Sequence, residues 1–371
     1  MVLSSERKPE RGGSASDIGP VLRLSDRINQ YLTEIDESFV RSLGSSLLPF
    51  PRDPEKRRQA MDAQLKAIEG TGEVLSQYLD QAYFELNELD TALSEEDRKA
   101  CLTYHRARVH PFFFQVPFVR RAFDRPLGYP GDYLLVEMIF DHRDDGVSAF
   151  ARSLSRYTLN VGPACAHRAR SPWIGDQLSA LATRLGRPPK VLSFACGPER
   201  CLRDYLALGH SAEITLADFD AFALEHAAKQ LRRAAETRKI SVPVTTVRIS
   251  AFELIRDPAT RKPLDEITQS GRFDLIVVAG LLDYLSATVS KRLIAVLREY
   301  LAPDGAMLLT NLHARNPWRA FMLYVGDWDC LHRTREQLEE LVDDQPVRFK
   351  TVVTRTDETE TNLFLRAEAA G

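Results

Sequence analysis

Cysteine is scarce in this chain: five in 371 residues, at positions 101, 165, 196, 201 and 330. The number is odd, the positions are scattered, and no pair has CxxC spacing. That argues against a disulfide scaffold and against a cysteine zinc site, and no metal is expected. Long apolar runs are lacking too; none approaches the ~20 residues of a membrane span. Neither sign of charge is in excess: 49 Lys and Arg stand against 52 Asp and Glu, a net charge of −3. A broad nucleic-acid or anionic-membrane surface is therefore not expected. Residues 1–20 are polar, with Gly, Ser and charge in place of the apolar core of a signal peptide. They read as a disordered tail of a cytoplasmic protein. At ~100–200 residues per domain, the length predicts two domains or one with an extension. Oligomeric state stays open, a homodimer included.

What is present changes character along the chain. From Val21 to about His110 the apolar positions Leu22, Leu24, Ile28, Tyr31, Leu32 and Ile35 recur at three- and four-residue steps, a helical period. The proline-containing stretch Ser45–Pro54 interrupts it, and a second helical stretch runs from Glu55 to about Leu93. Ser94-Glu95-Glu96-Asp97 has the form of a cap and acidic first turn. Residues 111–118 hold a phenylalanine cluster expected to be core. Arg125–Tyr133, with Gly128, Pro130 and Gly131, predicts a tight loop. From Lys190 strand-length apolar runs alternate with helical patterns. Strands are expected at Val191–Ala195, Glu213–Ala217, Val244–Ile249, Phe273–Ala279 and Ala306–Asn311. Helices are expected at Leu202–Leu208, Ala221–Arg238 and Ser290–Leu301. Such alternation predicts an α/β fold with a parallel sheet. Arg348–Thr356 and Thr361–Ala367 read as a closing antiparallel hairpin. The domains expected are a tail over 1–20, a helical region over 21–160 and an α/β domain over 161–371.

The first strand runs into Ala195-Cys196-Gly197-Pro198-Glu199-Arg200. A turn between a first strand and its helix is where an open α/β sheet takes a nucleotide-like ligand. Gly197 would let backbone approach that ligand closely. The second strand ends in Ala217-Asp218-Phe219-Asp220, and a carboxylate there can accept both ribose hydroxyl protons. The dinucleotide fingerprint G-x-G-x-x-G would need glycine where Ala195 and Arg200 stand, which counts against NAD. S-adenosylmethionine carries no phosphate and tolerates a bulkier loop.

The chain here resembles class I S-adenosylmethionine-dependent methyltransferases. Val191–Pro198 is similar to their first motif and Ile214–Leu224 to their second. Phe273–Gly280 and Leu301–Leu309 are similar to the fourth-strand motif and the turn into the fifth strand. The resemblance covers about residues 165–370. It implies a Rossmann-like sheet, mostly parallel with an antiparallel last strand. It also implies S-adenosylmethionine as cofactor, held by Ala195, Cys196, Gly197, Asp218, Phe219, Ser250, Ala251, Phe252, Ala279 and Gly280. Two positions depart from the pattern: Ser193 replaces an acidic residue and Glu199 a glycine. Gly128–Asp132, Gly280–Leu285 and Asn316-Pro317-Trp318-Arg319 through Gly326-Asp327-Trp328 resemble one methyltransferase family in particular. It is labelled by biosynthesis of the extracellular factor 3-hydroxypalmitic acid methyl ester. With that resemblance the helical region and the Gly128–Asp132 loop would form a cap over the cofactor site.

Methyl transfer is an in-line displacement at a sulfonium, for which an enzyme aligns donor and acceptor and excludes water. A carboxylate acceptor needs no base; an amine or hydroxyl does. Asp283 and Tyr284 follow strand four and His313 and Arg315 follow strand five. His313, Asp283 and Tyr284 are the catalytic candidates. Arg168 or Arg170, ahead of the first strand, suits the methionine carboxylate of the cofactor, with Arg168 preferred. Tyr129, Asp132, Arg319, Tyr324 and Trp328 are acceptor-binding candidates. The reading is a methyltransferase acting on a small-molecule carboxylate, hydroxyl or amine in specialised or signal-molecule biosynthesis. Its rivals are aminopropyl transfer on the same fold and a non-catalytic cofactor-binding regulator.

Overall fold

The structure is a computed structural model, and it describes residues 17–43 and 53–370. In chain order its helices and strands are α1 (Gly19–Leu43), α2 (Pro54–Asp90), α3 (Glu95–Phe113), α4 (Pro117–Asp124), α5 (Tyr133–Asp141), α6 (Ala149–Asn160), α7 (Gly162–Leu185), β1 (Lys190–Phe194), α8 (Arg200–Ala207), β2 (Glu213–Asp218), α9 (Ala221–Arg238), β3 (Val244–Arg248), α10 (Ala251–Arg256), α11 (Lys262–Thr268), β4 (Phe273–Ala279), α12 (Ala287–Arg298), β5 (Leu301–Leu312), α13 (Arg319–Gly326), α14 (Arg335–Asp343), β6 (Thr351–Thr356) and β7 (Asn362–Glu368). The disordered tail expected over 1–20 lies outside the described residues as far as 16, and Gly19 and Pro20 are already helical. Most of the break expected at Ser45–Pro54 also lies outside them. Its last two residues, Asp53 and Pro54, cap and open α2.

The chain forms two compact units. One holds the described residues up to Ala164 together with Pro317–Asp329; the other holds Cys165–Asn316 and Cys330–Gly371. In the helical unit several starts have a local cause. Ser94 caps α3 ahead of three acidic residues, and Asp132 caps α5 by accepting from Leu134 and Leu135 N–H. Phe113 of the phenylalanine cluster is fully buried, with Phe112 and Phe114 packed partly buried against the same core. Helix α13 packs there through Phe321, whose ring meets Tyr83, Phe113 and Tyr157 edge-on at 5.0–5.9 Å between centroids. Its polar ties are as specific: Tyr324 Oη donates to Asp90 at 2.9 Å and Trp318 Nε1 to Asp80 at 3.0 Å.

A histidine buried in this core sets a pH dependence. Ser25 Oγ spends its proton on the Val21 carbonyl, so His105 Nδ1–H donates to Ser25 Oγ at 3.0 Å. His105 Nε2 is left to accept from Tyr83 Oη at 3.3 Å. The ring is held neutral, and burial pushes its pKa down to about 3. A depressed folded pKa gives stability that is present above the unfolded value and lost as pH falls through it. Acidifying from pH 7 to about 4.5 should therefore cost about 3 kcal/mol through this one group. His105→Gln should lose that much less over the same interval in denaturant titrations. Parallel declines for the two proteins would show that His105 does not titrate in unfolding.

The other unit is built on one seven-stranded sheet of order β3-β2-β1-β4-β5-β7-β6. Strands β3, β2, β1, β4 and β5 are mutually parallel, and β7 runs antiparallel to both β5 and β6. This is the Rossmann-like, mostly parallel sheet with an antiparallel last strand that the resemblance implied. Central β1 and β4 are buried along nearly their whole length, which is why they read as mostly apolar runs. Strand β5 starts at Leu301, earlier than the Ala306 expected, and α12 correspondingly stops at Arg298. Leu301 pairs with Phe273, and the register then shifts before Leu275 meets Ala306. Pro303, Asp304 at φ 55° and Gly305 form the irregular bend inside that strand. At the opposite end from the loops described below, Asp274 clamps the start of β1. It accepts from Lys190 N–H at 2.8 Å and from both terminal nitrogens of Arg187 at 2.7 and 2.9 Å.

Candidate functional site

The strand order reverses between β1 and β4, so the loops at the carboxyl ends of these strands diverge and leave a crevice. The turn after β1 is tight. Cys196 N–H donates to Ala217 O at 3.3 Å, and Glu199 N–H closes back on Cys196 O at 3.0 Å. Ala195, Gly197 and Glu199 all have positive φ, at 53°, 52° and 46°. Glycine is free to hold that conformation, and nothing lies within 4 Å of where a Gly197 Cβ would stand. Ala195 and Glu199 hold it at a cost in strain.

Asp218, the last residue of β2, reaches this turn. Its Oδ2 accepts from Gly197 N–H at 3.0 Å and its Oδ1 from Asp220 N–H at 3.0 Å. Asp218 is 6% exposed, and burial raises its pKa against the pull of those bonds. Phe219 N–H bonds the same carboxylate; with about four acceptor positions, a carboxylate so held still has room for a hydroxyl donor. Ser250 caps α10 in a capping box: its Oγ accepts from Glu253 N–H, and Glu253 returns a bond to Ser250 N–H at 2.8 Å. Ala251 is buried behind it, and Phe252 is exposed with the Arg256 guanidinium 5.4 Å from its ring centre. Phe219 is exposed as well, as is Phe222, which the sequence reading passed over. Three phenyl rings thus stand at the ends of β2 and β3.

Glu199 carries a role that its sequence position hides. It stands where a glycine is usual, and its carboxylate is buried. One oxygen accepts from Leu202 N–H at 3.1 Å, capping α8, and the other accepts the Ser193 hydroxyl proton. Burial pushes Glu199 up to about 7. The acid missing at 193 is thus met by a carboxylate supplied from 199. Two departures in the sequence are one contact in space.

After β4, Gly280 has φ 91°, and Leu282–Tyr284 form a single 3₁₀ turn. Asp283 is buried there. Its Oδ1 accepts from Leu312 N–H at 2.7 Å, and its own carbonyl accepts from Leu331 N–H at 2.8 Å. Arg333, which sequence gave no reason to single out, pins this turn. Its guanidinium donates to the carbonyls of Leu282 and Leu285 and to Asn311 Oδ1. His313 follows β5 with little exposure. Its N–H donates to Thr361 O at 2.8 Å, and its Nδ1 lies 3.1 Å from Glu360 O. A carbonyl only accepts, so Nδ1 carries the proton and a neutral ring keeps Nε2 as acceptor.

Of the two arginines weighed from sequence, Arg168 lies 3.3 Å from Cys165 Sγ through Nη2. Arg170 is the buried one, and its Nε and Nη2 have no partner among the described residues. Among the acceptor candidates, Asp132 is buried and paired with Arg121 at 2.9 Å besides capping α5. The Tyr324 hydroxyl is spent on Asp90. Tyr129 and Trp328 are partly exposed and Arg319 is exposed, the first on a loop and the other two on the α13 segment of the helical unit. Asp327 at the end of α13 is gripped by Arg106 and Arg125 at 2.6 and 2.8 Å. Sequence brings Ala195, Cys196, Gly197, Asp218, Phe219, Ser250, Ala251, Phe252, Ala279, Gly280, Asp283, Tyr284 and His313 to carboxyl ends of strands in one unit, and the structure places them there. Among the described residues no cluster of His, Cys, Asp and Glu has the form of a metal site. Also among them, no helix is long and apolar enough to cross a membrane.

No protein-family model and no curated protein matches the chain. Solved structures do. Magnesium protoporphyrin IX methyltransferase (ChlM) from Synechocystis PCC 6803, with bound SAH, is similar at 12% identity and TM-score 0.40, over 56% of this chain and 87% of that one. N-methyltransferase NodS from Bradyrhizobium japonicum WM9, in complex with S-adenosyl-l-homocysteine, is similar at 17% identity and TM-score 0.40, over 64% and 98%. A "possible exported protein" from Bordetella parapertussis is similar at 17% identity and TM-score 0.47, over 96% of each chain. The fold assignment rests on strand order and register, not on these likenesses.

Proposed function

We propose that this protein is an S-adenosylmethionine-dependent methyltransferase acting on a small molecule. The observation that carries the reading is the Asp218 carboxylate, buried at the end of β2 and bonded to Gly197 N–H of the turn after β1. It is a preformed acceptor of hydroxyl donors beside a turn where backbone lies open to a ligand. The cofactor would supply an activated methyl group on a sulfonium. The residues present fit it. Asp218 offers its remaining acceptor capacity to a ribose. Ala195, Cys196 and Gly197 offer backbone, and Ala279 and Gly280 close the far side of the crevice. Phe219, Phe252 and the Ser250–Ala251 turn offer apolar and polar edges to a purine. Arg168 and Arg170 supply the positive charge for a carboxylate.

The chain's own chemistry follows from placement. Asp283 is held by Leu312 N–H and, with Tyr284, fixes the floor after β4. His313 Nε2, its tautomer set by the Glu360 carbonyl, would take the proton of a hydroxyl or amine acceptor. A carboxylate acceptor would need only orientation, so His313→Gln separates the cases by its effect on turnover. Tyr129, Arg319 and Trp328 are proposed to contact the acceptor, with Asp132 and Tyr324 holding the segments that carry them. Specialised or signal-molecule biosynthesis is the setting that the sequence resemblance favours. Aminopropyl transfer uses a decarboxylated cofactor, and a buried guanidinium whose Nε and Nη2 have no partner among the described residues speaks against it.

The test is calorimetric titration of the wild type and Asp218→Ala with S-adenosylmethionine and S-adenosylhomocysteine. Micromolar binding by the wild type is expected, weakened at least about 100-fold in Asp218→Ala, the scale for a buried charged hydrogen-bond acceptor. Wild-type protein that is folded and binds neither compound would sink the proposal.

A further inference from the structure

Asp80 lies on α2 in the helical unit, and it anchors α13 with a charge that the anchoring does not need. Both of its hydrogen bonds fall on one oxygen. Oδ1 accepts from Trp318 Nε1 at 3.0 Å and from Tyr157 Oη at 3.2 Å. Both donors are neutral, and an asparagine carbonyl would take them equally well. Oδ2 accepts from nothing among the described residues. Other acids of this unit are matched by a cation. Asp90 accepts from Tyr324 in the same way but is also paired with Arg98 at 2.8 Å. Asp132 meets Arg121, and Asp327 meets Arg106 and Arg125. Asp80 is half-buried, and burial raises its pKa; only the two neutral donors resist the rise, with no basic side chain among the described residues adding its pull. A carboxylate drawn partly out of water without a counter-charge is unfavourable unless a cation joins it.

The surroundings are aromatic. Phe84 is one turn further along α2, on the same face as Asp80. Its ring meets that of Trp318 at 5.1 Å between centroids and 80° between planes, an edge-to-face pair. Asp80, Phe84 and Trp318 are each partly exposed, whereas Tyr157 is buried. A ring face carries partial negative charge and attracts a cation held within about 6 Å of its centre. Carboxylate and rings therefore favour the same kind of ligand. An anion would be repelled by Asp80, and a neutral apolar group would leave its charge uncompensated.

We infer that Asp80, with Phe84 and Trp318 beside it, binds an organic ammonium group. Oδ2 takes an N–H of the ammonium and supplies the opposite charge. The rings of Phe84 and Trp318 receive the carbon that bears the nitrogen. Tyr157 and Trp318, by donating to Oδ1, fix the carboxylate so that Oδ2 is the oxygen presented. Under the proposed function this ligand is the methyl acceptor; the inference then rests on that reading and gives the acceptor a cationic amine.

The experiment titrates the full chain calorimetrically, near neutral pH, with benzylammonium and with benzyl alcohol, a neutral probe of matching size. S-adenosylhomocysteine is titrated separately. Wild type is expected to bind benzylammonium saturably and at least about tenfold more tightly than benzyl alcohol, the scale for a hydrogen bond to a charged group. Asp80→Asn keeps an acceptor for Tyr157 and Trp318 and should lose that preference, with benzyl alcohol unchanged. Phe84→Leu keeps apolar bulk without the ring and should weaken benzylammonium about threefold. Circular dichroism melts establish folding, and Phe84→Leu carries the test if Asp80→Asn does not fold. Benzylammonium bound through Asp80 by a protein that takes up no S-adenosylhomocysteine keeps this site and overturns the cofactor reading. The reverse pattern, S-adenosylhomocysteine bound and benzylammonium not, leaves the cofactor reading standing and overturns this inference. Equal affinity of the wild type for the ammonium and the alcohol, or benzylammonium affinity unchanged in both variants, overturns it as well.

Discussion

Asp283→Ala is expected to cost about 3–5 kcal/mol of folding stability, the scale for removing one side of a buried charge group. Asp283 lies 4% exposed between the charges of Arg170 and Arg333, and it accepts from Leu312 N–H at the end of β5. Burial raises its pKa while both guanidinium groups and that N–H pull it down. Removing the carboxylate leaves two buried cations facing each other's fields and a backbone donor without its acceptor. The melting temperature of the sheet-bearing unit should fall by about 10 °C. Asp283→Asn keeps an acceptor for Leu312 N–H and should recover part of the loss. Calorimetric scans of the three proteins at pH 7 decide it. An Asp283→Ala protein melting within about 2 °C of wild type would mean that the charges are not coupled in the folded state.

Glu199→Gln should move stability the other way, and only at high pH. The Glu199 carboxyl titrates at about 7 against a usual 4.5, with burial the main cause and Asp204 adding to it. The Ser193 hydroxyl and Leu202 N–H resist the rise. A raised folded pKa means that the folded state holds the proton longer. The contribution is fully present below the unfolded pKa and is lost as pH climbs through about 7. Two and a half units correspond to about 3 kcal/mol lost between pH 4.5 and 8. Glutamine keeps an acceptor for Leu202 N–H and can donate to Ser193 Oγ without ionising. The variant should match wild type near pH 4.5 and exceed it by up to about 3 kcal/mol at pH 8. Urea titrations at the two pH values read the difference. A constant offset across pH would show that the group does not titrate in unfolding. Perturbed carboxylates gather at functional sites, and this one sits two residues past Gly197.

Much of the sheet was legible because its signals are local. Val191–Ala195 and Phe273–Ala279 are buried on both faces, so their sequences are apolar apart from Ser193 and Asp274. Ser94 with its acidic turn marks a helix start through bonds that span three residues. The turn at Gly197 and the acid at 218 are each readable as endings of strands, and one hydrogen bond joins them across 21 residues. Helices α4, α6, α7, α10, α11 and α14 were not anticipated. α7 also carries Pro172 in its interior, which a local reading takes as a break.

The site was legible only in part, for the same reason. Arg168 and Arg170 are two residues apart and look alike in sequence. Helical rotation, about 200° between them, turns Arg170 into the protein and leaves Arg168 by Cys165. Arg333 reaches back 51 residues to Leu282, and no pattern near it announces that. The segment Pro317–Asp329 follows β5 yet folds with the helices of the first third of the chain. It is held there by Asp80, Asp90, Arg106 and Arg125. Sequence alone determined the fold class, most strands, the turn after β1 and the carboxylate that faces it, because periodicity and strand endings depend on near neighbours. Tertiary structure decided which arginine is buried, where the displaced carboxylate of Glu199 goes, and to which unit α13 belongs. Burial and pairing of polar groups are settled by residues distant in the chain, and their desolvation is set only when those residues meet.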